Sequence, residues 1–531
     1  MKHILVLLFF LNVTVSFGQT PTIGLVHHTD SVSSGYTLFS PDDNNNVYLI
    51  DNCGKLINEW VFNELPGITS YLLDNGNLLY AGKDSITIRD WNDNTLWSYA
   101  TTANGIAQHH DIEPLPNGNI LCIVTEFKTA AEQTSAGKDP ALLGNNFKLD
   151  YIVELEPVGT NDANIVWEWH FWDHLVQDYS ASENNFGVVA DHSELINFNF
   201  NHGNINDWTH VNGIDYNANL DQIIISSKTM SELYIIDHST STAEAADHSG
   251  GTAGRGGDFL WRWGNSQVYG QGGAADQKLF GQHDGEWVHN NYMHEGKITV
   301  FNNGGDGTSM FSSIHLITPE LNGTDYVMTS NTFAPNDFFY TWNGSAMTEV
   351  VFSTKKCGVQ SLPTGGFLIC DTKTGRFIEI DKDDNLVWMY VNPHGVGAVS
   401  NQFDILVGGN ASFRAEKYQL DHPGILANTI VIGDIIENEN SLSASCTDFS
   451  GIEEQQFSNF EVINPVFEEF ITFTKPLSCH YTLIDMNGTI ITEGDLQNTD
   501  RFYYGEVQSG VYLIRFQQGN ALSIKRVVIS K

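Results

Sequence analysis

The chain has few basic residues for its length. Its 531 residues contain 25 Lys and Arg against 64 Asp and Glu, so the formal net charge is −39 at pH 7. Proteins that bind nucleic acid or anionic lipid need clustered cations to displace counterions from phosphates. The composition therefore excludes nucleic acid and anionic membranes as partners. It also makes any basic residue that lies beside a histidine a candidate for the functional site.

Long apolar runs and helical periodicity are equally scarce. After the first 20 residues, no window approaches the ~20 apolar residues that a bilayer span requires. The opening MKHILVLLFFLNVTVSFGQT has a short basic start, a brief apolar stretch and small residues near position 18. This pattern predicts a secretory signal peptide at 1–18, so we expect an exported, soluble mature chain.

Cysteines are few, and none form a Cys-x-x-Cys pair. That absence weakens thiolate metal sites and dithiol redox chemistry as functions. Export permits disulfides, and the six Cys admit 15 connectivities that the sequence does not resolve. Cys357 and Cys370 bracket a predicted hairpin turn at 363–366, which makes a bridge between them one candidate.

What the chain does contain is β-structure punctuated by glycine turns. An Asn/Gly-rich turn followed by a β-branched run recurs, for example at 72–82, 114–124 and 361–372, and Asn75 and Asn117 are 42 residues apart. That spacing suits one blade of a β-propeller, a four-stranded antiparallel sheet. We therefore expect an all-β propeller of five or six blades over 19–430; an open series of β-sandwiches is the alternative.

The sequence changes character after about residue 430. A polar, acidic stretch at 431–454 is typical of a linker, and 455–531 reads as a small β-sandwich. Its features are Asn464-Pro465, a Met-Asn-Gly turn at 486–488, and strands at 510–514 and 525–529. Together they resemble the C-terminal sorting domain of the type IX secretion system. The resemblance implies that this machinery is a partner, with export through the periplasm and outer membrane and a secreted or surface-attached product.

Histidines precede several of the repeated turns. His109 and His110 stand in AQHHDIEP, His210 in DWTHVNGID and His283 in FGQHDGEW. In a propeller, equivalent strand positions converge at one mouth of the central channel. Such a cluster suits a catalytic zinc site or covalent catalysis by a neutral imidazole, while imidazoles that merely cap turns would have no chemistry.

Four segments, in this order, resemble the bacterial arylsulfate sulfotransferases. They are HHDIEPLPNGNIL (109–121), DWTHVNGIDYN (207–217), GQHDGEWV (281–288) and FRAEKY (413–418). The resemblance covers about 35–430 and implies a secreted six-bladed propeller, without cofactor or nucleotide donor, that moves a sulfuryl group from an aryl sulfate donor to a phenolic acceptor.

The same resemblance assigns roles to residues. It implies that His283 is the nucleophile, forming a transient sulfohistidine in a ping-pong cycle, and that His210 and Asn212 contact the sulfate. The His-His pair adds a further polar contact, from His110 more than from His109. The sequence leaves open whether the chain is a monomer or a homodimer.

One departure from the family pattern bears on the activity. Lys228 stands where the family has Arg, and an ammonium is a mobile point charge whereas a guanidinium grips two oxygens. Arg414 is a candidate second cation, or else a structural Arg paired with an acidic loop. The alternatives are therefore a non-catalytic surface or carbohydrate-binding propeller, and a metal-dependent hydrolase or lyase that uses the same imidazoles.

Two other segments draw attention. The glycine-rich stretch at 246–265 reads as a surface loop, although Arg255 or Arg262 within it could reach the channel mouth. The aromatic run at 167–174 is typical of blade-core Trp, with stacking on a phenol as the alternative.

Overall fold

The computed structural model describes residues 21–446 except 64, 204–205, 346, 348–349, 396–397 and 405–408. It also describes 462, 466 and 470–529 except 486–489, 506 and 519–520. The chain forms two compact units, Met1–Cys446 and Thr447–Lys531. The predicted signal peptide at 1–18 and the residues Asn464-Pro465 and 486–488 lie outside the described residues. Within these ranges, no helix is long and apolar enough to cross a membrane.

The described residues of the first unit form six antiparallel sheets of four or five strands, here numbered 1 to 6. In each, the sheet order runs from the inner strand outwards. Sheet 1 consists of Ser412–Tyr418, Tyr36–Pro41, Asn46–Ile50 and Leu56–Val61; sheet 2 of Pro66–Leu72, Leu78–Gly82, Ile86–Arg89 and Thr95–Tyr99; sheet 3 of Gln108–Pro114, Ile120–Lys128, Phe147–Val158 and Asp162–His170; sheet 4 of Val211–Asn217, Gln222–Ser227, Glu232–Asp237 and Trp261–Trp263; sheet 5 of His283–Trp287, Ile298–Asn302, Ser313–Ile317 and Tyr340–Trp342; and sheet 6 of Gly358–Ser361, Phe367–Asp371, Arg376–Ile380, Leu386–Val391 and Gly24–His28.

The six sheets close into a ring. Each inner strand contacts the inner strands of the sheets before and after it, and sheet 6 contacts sheet 1. Six apolar clusters lie between neighbouring sheets, one for each pair, and they bury most of the large aliphatic and aromatic side chains. Radial closure of this kind removes exposed sheet edges. The predicted all-β propeller is confirmed.

Side chains of the inner strands hold neighbouring sheets together. A carboxylate on one strand accepts a backbone N–H from the next sheet: Asp111 from Ile214 (3.3 Å), and Asp215 from Trp287 (2.6 Å). The hydroxyl of Tyr71 in sheet 2 donates to Asp111 at 2.9 Å. Because these acceptors satisfy inner-strand amides that no strand of the same sheet reaches, the acidic composition of the chain is partly structural.

Contacts between the two ends of the first unit close the ring. Sheet 1 combines three N-terminal strands with Ser412–Tyr418 from the far end of the unit. A disulfide joins Cys53 to Cys446, so residues up to Cys446 belong with the first unit, although 431–454 reads as a linker in the sequence.

The candidate bridge between Cys357 and Cys370 is wrong. Cys370 lies opposite Gly358 in the ladder, one residue out of register with Cys357, and successive side chains point to opposite faces of a sheet. Both thiols are free and buried.

Helices and short strand pairs occupy the connections between the strands of the six sheets and the segment that follows Ser412–Tyr418. The α-helices are Ala130–Ser135, Thr242–Ala245, Pro423–Leu426 and Ser441–Ser445; the 3₁₀ turns are Thr102–Asn104, Pro140–Leu142, Phe171–Asp173, Val189–Asp191, Ser266–Tyr269 and Ala274–Asp276; and the short pairs are Leu175–Val176 with Ile196–Asn197, Leu321–Asn322 with Asp325–Tyr326, Met328–Thr329 with Thr332–Phe333, and His394–Gly395 with Ala398–Val399.

The second unit contributes one antiparallel sheet within its described residues. Its strands, in sheet order, are Ile490–Tyr503, Phe470–Asp485, Gly510–Gln518 and Ala521–Ile529. An apolar cluster that includes Ile471, Leu483, Ile514 and Phe516 packs on this sheet. The predicted strands at 510–514 and 525–529 are both present.

Candidate active site

The predicted histidines and Asn212 lie at one end of the inner strands of sheets 3, 4 and 5, whereas Lys228 follows the second strand of sheet 4 and Arg414 lies in the inner strand of sheet 1. Here the backbone departs from regular β geometry, with φ values of +62° at His110, +40° at His210 and +62° at Asp284. The departures at His110 and Asp284 fall within register shifts in the ladder between the inner strand and its neighbour, and that at His210 lies directly before one. A left-handed conformation costs a non-glycine residue on the order of 1–3 kcal/mol, and such strain is concentrated at functional sites.

His283 begins the inner strand of sheet 5 and is held by two hydrogen bonds. The amide group of Asn303 donates to the carbonyls of Ser353 and Lys356 at 2.9 and 3.0 Å, which turns its Oδ1 towards the imidazole. His283 Nδ1 lies 2.7 Å from that oxygen and must therefore donate to it. The lone pair of the neutral ring is consequently on Nε2, where it accepts the backbone N–H of Lys356 at 3.0 Å.

The surroundings of His283 keep its imidazole neutral. Burial, followed by the positive charges of Arg414 and Lys228, holds the pKa of His283 well below its usual range, and the hydrogen bond to Asn303 only partly offsets this. A neutral imidazole with a defined lone pair on Nε2 is a nucleophile throughout the neutral pH range.

His109 and His110 form a chain of hydrogen bonds with a buried acid. Asp150 accepts from Val211 N–H and the Thr209 hydroxyl, both at 2.7 Å, and from His109 Nε2 at 2.8 Å. His109 Nδ1 then accepts from His110 Nδ1 at 2.5 Å, which leaves the His110 lone pair on Nε2. Burial alone would raise the pKa of Asp150, but these donors lower it.

His109 and His110 therefore differ in their place along this series of hydrogen bonds. Burial, followed by the neighbouring imidazoles and the charge of Lys148, holds the pKa of His110 well below its usual range. His110 packs edge-on against His210, with ring centroids 4.9 Å apart, so it faces the other site imidazoles. His109, which lies between His110 and Asp150, orients the His110 ring through its hydrogen bond.

His210 is oriented by a second acid. Its Nδ1 lies 2.5 Å from Asp207, whose other oxygen binds the Lys148 ammonium at 2.7 Å. Burial would raise the pKa of Asp207, yet the hydrogen bonds from His210 and Lys148 lower it strongly. Asp207 thus remains ionised and fixes the Nδ1–H form of His210, leaving Nε2 for exchange of a proton with a ligand.

Lys228 supplies a positive charge without a partner. It directly follows the strand Gln222–Ser227 and is half-buried, and its ammonium makes no hydrogen bond or ion pair with any described residue. Burial lowers its pKa, as does the neighbouring charge of Lys355, while Asp207 raises it. An unpaired ammonium close to His283 can attract an anion.

Arg414 and Asn212 have mainly positioning contacts in the structure. Arg414 is buried against Asp284, and its guanidinium donates to the carbonyls of Cys357 and Asn212. Asn212 is also buried and donates to the carbonyl of Gln282 at 2.8 Å, directly before His283. Arg414 thus fits the structural alternative, yet its charge still acts on His283.

Several residues of the site were missed in the sequence. Asn303 and the pair Lys355-Lys356 follow or precede strands, and Asp150 lies within the strand Phe147–Val158; none of them stands in a motif. Asp207 opens the segment 207–217 quoted above, but no role was expected of it. Two signals were therefore available: the position of Asp207, and composition, because a Lys-Lys pair is conspicuous in a chain with 25 basic residues.

The arginines of the glycine-rich loop do not reach this site. Arg262 is fully buried in an ion pair with Glu232, and Arg255 binds Asp325 at the surface at 3.0 Å. Arg262 was a wrong candidate because its strand belongs to the outer edge of sheet 4. Trp167 and Trp169 are buried, which confirms the blade-core interpretation.

Below the imidazoles, the inner strands carry a set of carboxylic acids. Burial raises the pKa of Asp111 to about 6 and that of Asp215 to about 7. Burial and the charges of neighbouring acids also hold the pKa values of Glu113, Glu286 and Glu416 well above the usual range. These acids retain protons that free carboxyl groups would lose, so the interior is less negative than the composition suggests.

These raised pKa values predict that the Glu113→Gln substitution stabilises the chain in a pH-dependent way. Above about pH 4.5 the unfolded chain ionises Glu113, whereas the folded chain resists ionisation, so the wild-type free energy of unfolding falls as pH rises. Gln does not ionise, so the Glu113→Gln variant does not lose this free energy as pH rises. Thermal unfolding should show no gain near pH 4.5 and a gain of about 1–2 kcal/mol at pH 8. The exposed Glu320→Gln is the control; equal effects of the two variants would contradict this account.

The fold and the site together define a β-propeller in which oriented imidazoles at one end of the inner strands lie close to an ammonium with no partner among the described residues. A model of the arylsulfotransferase (ASST) family matches residues 23–315, and a model of the secretion system C-terminal sorting domain matches residues 464–530. The first match spans more than half of the chain. The chain therefore belongs to the arylsulfotransferase family, which supports a sulfotransferase type of activity, and its second unit supports export by type IX secretion.

The solved structures that match this chain are remote in sequence. A protein of unknown function from Bacteroides caccae is 13% identical, with a TM-score of 0.38 over 70% of this chain and 98% of its own. A catalytically inactive virginiamycin B lyase from Staphylococcus aureus is 9% identical, with a TM-score of 0.31 over 68% and 87%. The Cps50 (Swd1) β-propeller domain of Myceliophteria thermophila is 10% identical, with a TM-score of 0.33 over 69% and 90%. The comparison with curated proteins returned no match.

Proposed function

We propose that this chain is a secreted aryl-sulfate sulfotransferase that acts by a ping-pong mechanism through a sulfohistidine at His283. The observation that carries the proposal is the Asn303 amide, which forces the His283 lone pair onto Nε2 while Lys228 holds an unpaired charge nearby. A nucleophile beside an anion-attracting ammonium suits a sulfate ester.

In the first half-reaction, His283 Nε2 attacks the sulfur of the donor. The N–S bond forms as the S–O bond to the donor phenol breaks, and a protonated His210 gives its Nε2 proton to the departing phenolate. Sulfuryl transfer resembles phosphoryl transfer in having a loose transition state with charge on three equatorial oxygens. Lys228 and the backbone N–H of Lys356, which Nε2 releases as it bonds sulfur, then stabilise those oxygens.

In the second half-reaction, an acceptor phenol takes the sulfuryl group. His210 removes the phenol proton as the acceptor oxygen attacks sulfur, and the N–S bond breaks to restore neutral His283. His110, with its lone pair on Nε2, accepts a hydrogen bond from whichever phenol occupies the site. Because His210 alternates between acid and base, its Asp207 partner must keep the same orientation through both steps.

An assay with 4-nitrophenyl sulfate as donor and phenol as acceptor tests the function. We expect nitrophenolate release that requires phenol, together with phenyl sulfate in equal amount, and parallel lines in double-reciprocal plots at several phenol concentrations. No release would favour a non-catalytic or carbohydrate-binding propeller. Inorganic sulfate formed without phenol, and lost on chelation, would favour a metal-dependent hydrolase.

A further inference from the structure

A second cluster of imidazole and carboxylate groups lies apart from the site described above. His174 follows the 3₁₀ turn Phe171–Asp173, in the connection between sheets 3 and 4. His248 and Asp258 both lie in the glycine-rich stretch, within the connection between the last two strands of sheet 4. Among the described residues, this is the group of three whose ligating atoms all lie within 4.8 Å of one another. The proposed sulfuryl transfer uses none of the three.

The three side chains converge on one carboxylate oxygen. Asp258 Oδ1 lies 2.8 Å from His174 Nδ1 and 2.7 Å from His248 Nδ1. The side chains of His174 and Asp258 are buried, whereas that of His248 is 56% exposed. The cluster is thus buried on the side of His174 and Asp258 and open to solvent on the side of His248.

A neutral His174 ring cannot donate a proton to both of the acceptors that face its two nitrogens. Its Nε2 lies 2.8 Å from the backbone carbonyl of Ala245, which only accepts, so Nε2 must carry a proton. The Nδ1 lone pair then faces Asp258 Oδ1, which is also an acceptor. The two acceptors need a proton between them, carried by the ring or by the carboxyl group, or else a metal ion.

The contacts around His174 are those of a metal ligand. Ligating imidazoles characteristically donate their other N–H to a carbonyl or carboxylate, which fixes the ring. Trp169 stacks on His174 with ring centroids 5.5 Å apart and an interplanar angle of 7°, and its indole N–H donates to Gly257 O at 2.7 Å. A Cβ at Gly257 would come within 2.6 Å of His174 Nε2 and 2.0 Å of Ala245 O, so the backbone there leaves no room for a side chain.

We propose that His174, His248 and Asp258 bind a divalent transition-metal ion of the zinc class. Two imidazole nitrogens and one carboxylate oxygen suit Zn²⁺, whereas Ca²⁺ and Mg²⁺ require sets of oxygen ligands. The fourth position faces solvent beside exposed His248. Bonds of about 2.0–2.2 Å to each ligand spread neighbouring donors to roughly 3.3 Å in a tetrahedron, so each ligand must withdraw by about half an ångström. His248 lies in the glycine-rich loop and can make this shift.

Metal binding would join two connections that no strand pairing links. The 171–200 connection and the 246–258 loop each hold at least one ligand, so an ion would fix the loop on the outer side of sheets 3 and 4. This inference does not depend on the proposed sulfotransferase activity.

Direct metal binding by the full-length chain tests the proposal. The protein is purified without a histidine tag, stripped with a chelator, and titrated with Zn²⁺ and separately with Co²⁺. We expect one equivalent bound, a rise in melting temperature with Zn²⁺, and the intense visible absorption of tetrahedral Co²⁺. His248→Ala should weaken binding at least tenfold and abolish both signals, and because His248 is exposed the variant should fold.

The control is His192→Ala. His192 is likewise an exposed imidazole, with a carboxylate oxygen of Glu194 at 2.8 Å, but no third ligand lies near it among the described residues. It should bind Zn²⁺ and Co²⁺ as the wild type does. Failure of the wild type to bind an equivalent, or equal binding by wild type and His248→Ala, would overturn the proposal and leave a proton between His174 Nδ1 and Asp258 Oδ1. Asp258→Asn, which keeps the shape but loses the charge, should reproduce the loss.

Discussion

Replacement of His283 by Asn should reduce sulfuryl transfer by at least ~10³-fold and leave the fold intact. The substitution keeps a polar group opposite Asn303 but removes the Nε2 lone pair, and no other described imidazole occupies that position. Loss of a covalent nucleophile typically costs several orders of magnitude in kcat. The measurement is phenol-dependent release of nitrophenolate, with circular dichroism to verify folding.

A matched substitution separates loss of the nucleophile from the general effect of replacing a buried histidine. His315 is also a buried imidazole of sheet 5, bonded to Ser313 and Thr341 hydroxyls at 2.8 and 2.9 Å. His315→Asn should retain transfer within a few-fold. Rapid quenching of the wild type should also trap a sulfuryl mass increase on the peptide that contains His283. Residual transfer in His283→Asn above a hundredth of wild type would contradict the proposed role.

The Lys228→Met variant should lose about 10²-fold in kcat/KM, because it removes an ammonium that has no partner among the described residues and whose charge acts on His283. Removal of one group that stabilises charge in a transition state typically lowers the rate by about 10²-fold or more. Lys228→Arg should stay within about tenfold of wild type, since it restores the charge with a different geometry. The exposed Lys83→Met controls for the change in net charge.

The pH profile distinguishes a charged role for Lys228 from simple packing. Its pKa lies below the ordinary lysine value because of burial, so the wild-type kcat/KM should fall on the alkaline side earlier than an ordinary lysine would allow. Arginine stays protonated, and in Lys228→Arg this fall should move to higher pH. An unchanged alkaline profile in Lys228→Arg would argue against the assignment.

The propeller could be predicted because its determinants are local and repeated. Turns such as those around Asn75 and Asn117 recur at blade spacing, and each is followed by a strand that the structure contains. The closure of sheet 1 by Ser412–Tyr418 could not be predicted in this way. It depends on pairing between residues more than 370 positions apart, and no local pattern records such a partner.

The site was only partly predictable for the same reason. His109, His110, His210 and His283 stand in recognisable motifs, and the structure brings them together. Asn303, which fixes the tautomer of His283, and Asp150, which orients His109, act through side chains from neighbouring strands and a single hydrogen bond each. The conformation of His110, with φ of +62°, is likewise imposed by the surrounding sheets and not by its own preference.

The disulfide between Cys53 and Cys446 also determines how the chain would bear mechanical load. Cys446 is the last residue of the first unit, and Cys53 lies between two strands of sheet 1. A pulling force applied through the sorting domain therefore passes by a covalent bond into the turn between the two outer strands of sheet 1. The strand Ser412–Tyr418, which closes the ring together with Gly24–His28, is not the first to carry it. The propeller can thus be tethered by its C-terminal end without the tether drawing directly on the strand that closes sheet 1 beside the candidate site.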